Sequence, residues 1–568
     1  MENGQRTYYD VHDPMLLESI TNITFLTKNS PFLDVAQKFT SMLRFGVTIS
    51  PAFKVGQLFK DTIQSAALSE VKAWDDTLGN WADTKRGQPA YIEALAGGAI
   101  FNFGSAYEGN QSELIKKLIA KGVNKTSILD SPESIKEGLK TLWQAYEDFG
   151  TRTEAVNRIA LYKQLKAQGL SHLEASYQAR DLLDFSMQGS SGAFRYLTQS
   201  VPFLNARLQG LYKLGRDGLI PTSRVIYNTL TDKPYTLDDA AKAKRFSIVT
   251  ASTMMASMLL YLAFKDDDDF KRREQWDRDN FWWIKLPGMD SALRIPKPFE
   301  LGAFGTLAER TLEQIVDKDV EGKQFGDSLS RMLTNTFSLN PVPQFVKPMV
   351  DLYANKDSFT NAPIETAGME KLSKQMRTTD QTSPIAIALG GVSHAVANVT
   401  GQGTELSPVQ IDYAIRSYLG WLGGTAIAAS QYAVMPFKDG AYPDANWRDR
   451  VSLGYIKALP AKESAYMTSF YENNQAIQQA YADMRHYAEL GQYDKVIEVQ
   501  QEKGDLISLQ KVYDKTSKEI AKVRQQVRYI TNDPEMDGKS KKEEIERLRL
   551  LMSDLSQQAE SLRKSLKS

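Results

Sequence analysis

The stretch from Phe246 to Phe264, FSIVTASTMMASMLLYLAF, runs for 19 residues without a charge, a proline or a glycine. Wound as a helix it would be about 28 Å long, close to the thickness of a bilayer's hydrocarbon core. Charge brackets it: Lys242, Lys244 and Arg245 precede, and Lys265, the acidic tetrad Asp266–Asp269 and Lys271-Arg272-Arg273 follow. Such a rod has two places to go, the interior of a large helical protein or a membrane. Ser247, Thr250, Ser252, Thr253 and Ser257 dilute its apolar character, and the small pairs Ser252/Ala256 and Thr253/Ser257 suit close helix packing. The reading carried forward is a core helix that can also insert, with a constitutive span and a plain core helix as the alternatives. The candidate membrane-inserting side chains are Ile248, Val249, Met254, Met255, Met258, Leu259, Leu260 and Leu262.

At 568 residues the chain exceeds one compact core, so two to four units are expected. The pattern divides it into an N-terminal helical region (1–150), a central helical region holding the apolar run and a hairpin (151–310), a loop-rich region (311–440) and C-terminal helices (441–568). Hydrophobic residues at 42% and charged residues at 24% are those of a folded chain rather than a disordered one. With 69 residues of each sign the net charge is zero, so no global electrostatic footprint for nucleic acid exists. The absence of cysteine excludes disulfides, thiolate metal sites and cysteine nucleophiles, and suits a chain that crosses compartments of different redox poise. The opening MENGQRTYYDVHDP has no basic segment leading into an apolar one, so no signal peptide is expected.

Along the chain, Gln5 to Val11 reads as a short strand, and Asp13-Pro14 opens a helix. Helical spacing recurs over 32–45, over 55–66 and from Ser131-Pro132 onward, and again from Thr151 to Arg180, broken at Gly169-Leu170-Ser171. Ser171 with Glu174 three residues on is a helix-start pattern. Phe281 to Leu286 and Leu293 to Phe299 flank Pro287-Gly288 and predict a β-hairpin, with the prolines confining the second strand to a sheet edge. Residues 338–408 read as long surface loops, although Pro384 to Gly401 is uncharged. Ser417 to Phe437 is a second uncharged run, long enough to span yet rich in glycine, and a core position is preferred for it. Leu509, Tyr513, Thr516, Ile520, Val523, Val527 and Ile530 alternate spacings of four and three. Ile545, Leu548, Met552, Leu555, Ala559, Leu562 and Leu566 repeat the pattern beyond the turn at Asn532-Asp533-Pro534. The expected fold is mainly α: an elongated multi-helix protein with a small hairpin near 281–297 and a C-terminal antiparallel helical hairpin.

No catalytic constellation is evident, and no metal or cofactor is expected. His12, His172, His394 and His486 are scattered, and the consecutive carboxylates Asp266–Asp269 lack the alternating spacing of a calcium loop, reading instead as a solvated turn. No phosphate loop, nucleophile elbow or dinucleotide fingerprint occurs. Basic residues gather around Arg152 and Arg158, with Lys163 and Lys166, and around Arg195, Arg207, Lys213 and Arg216. These are weak candidates for contact with DNA phosphates.

Taken in order, several stretches resemble the C-terminal region of very large bacteriophage internal virion proteins, in particular their large polyvalent protein associated domains. They are NGQRTYYDVHDPML, SPAFKVGQLFKD, GLSHLEASYQARDLLDFS with VPFLNARLQG, the apolar run with its acidic exit, LPG…RIPKPFELG, SPVQIDYAIRSYLGWLGG and YITNDPEMDGKSKKEEIERL. One departure is Lys60, which stands before Asp61 where the pattern carries an arginine. The resemblance implies a non-enzymatic protein packaged in the capsid and ejected to help build a conduit for genome delivery across the host periplasm and inner membrane. Its implied partners are other ejection, core or portal proteins, the inner membrane, double-stranded DNA and further copies of itself. The alternatives are a soluble helical scaffold and the non-catalytic part of a larger polyvalent enzyme.

Overall fold

Ser50 and Pro51 start the first long helix. The Ser50 hydroxyl accepts from the Phe53 amide (3.4 Å), and proline fits the first turn, where no amide hydrogen is needed. This helix, α1 (Pro51–Leu68), lies near the centre of the computed structural model of the chain, against five further elements. The structure describes residues 39–100, 132–182, 197–317, 322–333, 346–400, 405–434, 443, 455–458 and 464–566, less short gaps at 41, 45, 49, 73–74, 86, 199, 202, 286–287, 289–290, 359–362, 371 and 380–381. The strand expected at Gln5 to Val11 and the helix at Asp13-Pro14 lie outside these residues.

Helix α2 (Pro132–Ala167) is continuous over 36 residues, joining two stretches that periodicity alone treats separately. Gly169, at φ 91°, turns the chain, and α3 (His172–Asp181) begins at Ser171, whose oxygen accepts from the Glu174 amide (3.2 Å) as the spacing predicts. Tyr91, Ile159, Tyr162, Leu165 and Ala175 form the core between them. Next come α4 (Leu204–Lys213), a π-helical turn over Leu214–Leu219, α5 (Ile220–Leu230) and α6 (Leu237–Phe264). Helix α6 carries the apolar run. It packs on α1, on α5 and most extensively on α8, introduced below.

The short helix α7 (Gln275–Asn280) leads into β1 (Phe281–Lys285) and β2 (Ser291–Pro296), an antiparallel hairpin pairing Trp283 with Arg294, followed by α8 (Phe299–Val316). The hairpin stands as predicted, but its second strand is not an edge. A third strand, β3 (Ile456–Ala458), adds to its other side, giving the order β1-β2-β3. Strand β3 pairs only with Ser291 to Leu293, so Pro296, beyond that ladder, costs it no hydrogen bond.

The segment read as long loops contains helices. Residues 384–400 form α9 (Pro384–Thr400), which packs on α10 (Pro408–Leu419), itself capped by Ser407 with a reciprocal Gln410 contact. The second uncharged run breaks into two pieces. Gly420, at φ 57°, ends α10, and α11 (Trp421–Val434) restarts after it, so among the described residues no single helix there is long enough to span a bilayer.

The C-terminal part holds α12 (Ala465–Glu489), α13 (Tyr493–Ser508), α14 (Gln510–Asn532) and α15 (Gly538–Ser565). The last two form the expected antiparallel hairpin, with Tyr513, Ile520, Val527, Ile545, Leu548 and Met552 inside. Helix α12 joins them through Phe470 and Ile477, so the unit is a bundle rather than an isolated hairpin. Leu562 and Leu566, expected in the seam, are exposed, and Glu560 and Arg563 turn inward instead. A straight helix drifts against a seven-residue repeat, and by the end of α15 the inward stripe has rotated onto these positions. Tyr513 and Asn473 donate to Glu560, and Arg563 pairs with it at 3.1 Å, so the buried carboxylate is satisfied. The bundle is tied to the segment before α7: the Ala465 amide donates to the Arg272 carbonyl, Thr468 to Glu274, and Arg272 to Asp554.

Candidate functional site

Helix α6 starts at Thr236, which caps the Asp239 amide (3.0 Å), and Asp238 and Asp239 complement the helix dipole. Its two faces are reversed relative to an ordinary surface helix. Ala243, Phe246, Thr250, Thr253, Ser257 and Tyr261 face the protein, while Ile248 (55% exposed), Met255 (56%), Leu259 (58%) and Leu262 (43%) form a stripe on the outside. Of the eight candidate inserting side chains these four are exposed, and Val249, Met254, Met258 and Leu260 are half-buried at the margins. The segment read from the sequence as a core helix that can also insert is thus half enclosed by the protein. Among the described residues α6 is the one helix long and apolar enough to cross a membrane, and 28% of its most apolar window is buried.

Small side chains explain the reversal. A Cβ at Gly305 of α8 would collide with Ser257 and Thr253, so the two helices approach backbone to backbone at the pair the sequence marks for close packing. The hydroxyls at this approach are satisfied, whereas those of Thr250 and Tyr261 are buried without a hydrogen-bond partner among the described residues. Thr253 donates to the Val249 carbonyl and Ser257 to the Thr253 carbonyl, both at 2.9 Å, and the Trp282 indole donates to Ser257 at 2.7 Å. With Thr250, Thr253 and Ser257 turned against the protein, α6 presents Ile248, Met255, Leu259 and Leu262 outward, alongside the exposed Ser247 and Ser252. The other small pair, Ser252/Ala256, stays towards the outside.

Beneath the C-terminal half of α6 lies a buried array of ion pairs. Lys297 Nζ contacts Glu309 (2.8 Å), Thr306 (3.0 Å) and the Arg278 carbonyl (2.9 Å). Arg310 bridges Asp279 and Glu313, Arg278 reaches Glu313 at 2.6 Å, and Asp277 is held by Arg273 and Arg294. Burial alone would raise the Glu309 carboxyl, but Lys297, Arg310 and Arg278 outweigh it and hold the group down at about 2. Arg278 also lies over the Phe270 ring (4.8 Å), joining the array to the apolar cluster of Tyr261, Phe270 and Trp283 at the helix exit. The acidic tetrad takes part locally. Asp267 caps the following turn, and Lys285 binds Asp267 and Asp269 at 2.8 and 2.7 Å.

A second buried group sits between α1 and α2. Asp61, 4% exposed, accepts both Gln57 amide contacts (2.9 and 3.1 Å), and burial pushes its carboxyl up to about 8. Lys60, the departure noted in the sequence, rests over the Phe299 ring at 5.2 Å.

The weak candidates for DNA contact have protein neighbours here. Arg152 stacks on Trp81 (4.4 Å) and donates to Thr84, and Arg158 is 4% exposed. Glu300 acts electrostatically on Arg207. Lys213 and Arg216 are brought together on Asp181, at 3.5 and 2.5 Å, whereas Arg195 lies outside the described residues. Sequence reasoning missed the ion-pair array, whose charges carry no distinguishing spacing. It also missed the outer face of α9, where Ile387, Val392 and Val396 are at least half exposed; the uncharged stretch from Pro384 was its signal.

No curated protein and no solved structure matches the chain. Residues 267–452 match a protein family, beginning just past α6 and covering the hairpin, the ion-pair array and α8 to α11, about a third of the chain. The matching family is large polyvalent protein associated domain 38, and the similarity is confined to those residues.

Proposed function

We propose that this chain is a non-enzymatic internal virion protein of a bacteriophage, packaged in the capsid and ejected to help form a conduit across the host periplasm and inner membrane. The associated domain at 267–452 supports a phage-associated polyvalent protein. The membrane role rests on one observation, the outward stripe Ile248, Met255, Leu259 and Leu262 on a helix of spanning length. Burying half-exposed side chains of this size in acyl chains returns about 1 kcal/mol each. Other ejection or portal proteins and further copies of the chain are the proposed partners, with the virion interior and then the host envelope as its locations.

A cysteine-free chain makes the test direct. A single Met255→Cys label with an environment-sensitive dye should shift to the blue on mixing with vesicles, and the protein should float with them. Replacing Met255 and Leu259 by glutamate should abolish flotation. Failure of the wild-type chain to float at any pH or in mild denaturant would rule the membrane role out.

A second reading, a soluble scaffold whose stripe is covered by another protein, is favoured by the Trp282–Ser257 contact and the close approach at Gly305, which make α6 costly to detach. Under that reading the dye at position 255 responds to a protein partner and stays unchanged with lipid.

A further inference from the structure

The outer face of α14 carries Lys511, Lys515, Lys518 and Lys522, all exposed. Their spacings of four, three and four place them in one stripe about 16 Å long. None of the four forms an ion pair with a described residue. Elsewhere in the bundle some exposed charges are paired with the opposite sign, Arg485 with Glu489, Lys539 with Glu543 and Arg547 with Glu544, and the exposed charges of α13 include Asp494, Glu498 and Glu502 as well as Lys495. Helix α14 instead holds six basic against two acidic side chains, and one of the two acids, Asp514, accepts from the Gln478 and Gln510 amides. Past Lys522 the exposed face continues with Gln525, Gln526, Arg528 and Tyr529, donors and an aromatic ring rather than aliphatic bulk.

We infer that this ridge docks on the phosphate backbone of double-stranded DNA. A row of flexible ammonium groups on a rigid rod suits a regular line of phosphates. An anionic bilayer surface fits less well. A helix that lies in an interface must sink an apolar face, and in α14 that face, with Tyr513, Ile520, Val523 and Val527, is already spent in the bundle core. The inference is independent of what α6 does and involves none of its residues.

The test uses the full-length chain, a labelled duplex of about 30 base pairs, and a salt titration read by fluorescence anisotropy. Four phosphate contacts predict a log–log salt slope of about −3.6, so that affinity falls roughly 100-fold between 50 and 200 mM salt. The quadruple variant Lys511→Gln, Lys515→Gln, Lys518→Gln, Lys522→Gln should lose most of that slope, and the quadruple lysine-to-arginine variant should keep it. All eight substitutions are on exposed positions, and thermal melts by circular dichroism confirm that each variant is folded. Equal DNA binding by wild type and glutamine variant, or no binding by either, overturns the inference. So does a variant that keeps its DNA affinity but loses binding to phosphatidylglycerol vesicles, which would assign the ridge to lipid headgroups.

Discussion

In the α14–α15 hairpin Tyr513, Ile520 and Leu548 point inward and the lysines of α14 point outward, whereas in α6 Thr253 and Ser257 point inward and Met255 and Leu259 outward. The hairpin buries its apolar stripe within the chain. Helix α6 is held by close backbone approach, a few hydroxyl contacts and the buried rings of Phe246 and Tyr261, while its outer apolar stripe has no partner among the described residues. The neighbouring α7–β2–α8 layer extends the contrast, since charges rather than aliphatic side chains fill its interior. A helix held by small residues can be positioned firmly while keeping its hydrophobic surface for something else.

The contrast can be broken at several points. The largest effect should come from Arg310→Ala, which strands Asp279 and Glu313 in the interior; a loss of about 3–5 kcal/mol in urea unfolding is expected. Ile520→Ala in the bundle, at a position with no exposure, should cost about 2–4 kcal/mol by the same measurement. Gly305→Val should push α6 from α8 at a cost of about 1–3 kcal/mol and raise hydrogen exchange along 246–261. If α6 amides are unaffected, close approach is not what holds it.

A pH titration sharpens the comparison from the α1–α2 side. The Asp61 carboxyl has a folded value raised to about 8 against an unfolded value of about 3.9. Its contribution to stability is therefore fully present below about pH 4 and is lost as pH rises through about 8. Glu309 has the opposite sign: its contribution is present above about pH 4 and is lost as pH falls towards 2. Asp61→Asn should flatten the alkaline limb of a pH–stability curve and leave the acid limb intact. The smallest effect on stability belongs to Met255→Ala and Leu562→Ala, both within about 0.5 kcal/mol because both side chains face outward. A larger loss at Met255 would mean that α6 is a core helix after all.

Legibility in the sequence followed how local the cause was. The turn at Asn532-Asp533-Pro534, the start at Ser171 and the β-hairpin are set by residues within a few positions of one another, and all stand in the structure. The helix at Pro384–Thr400 was hidden by a composition of alanine, glycine and valine with little amphipathic contrast. The central position of β2 was invisible because its partner, β3, comes from about 160 residues further along. The candidate site was half legible: run length and hydroxyl pairs were plain in the letters, but not which face would turn outward.

Periodicity, caps and the uncharged 19-residue run were enough to define a mainly helical chain, its C-terminal hairpin and one helix of membrane-spanning length. These features depend on backbone geometry and on the transfer preference of individual side chains, both of which act locally. The orientation of α6, the burial of Lys297 and Arg310, and the company of Asp61 depend on which distant helix arrives alongside. Gly305 admits a close neighbour only where α8 meets Ser257, and that meeting turns Met255 and Leu259 to the outside.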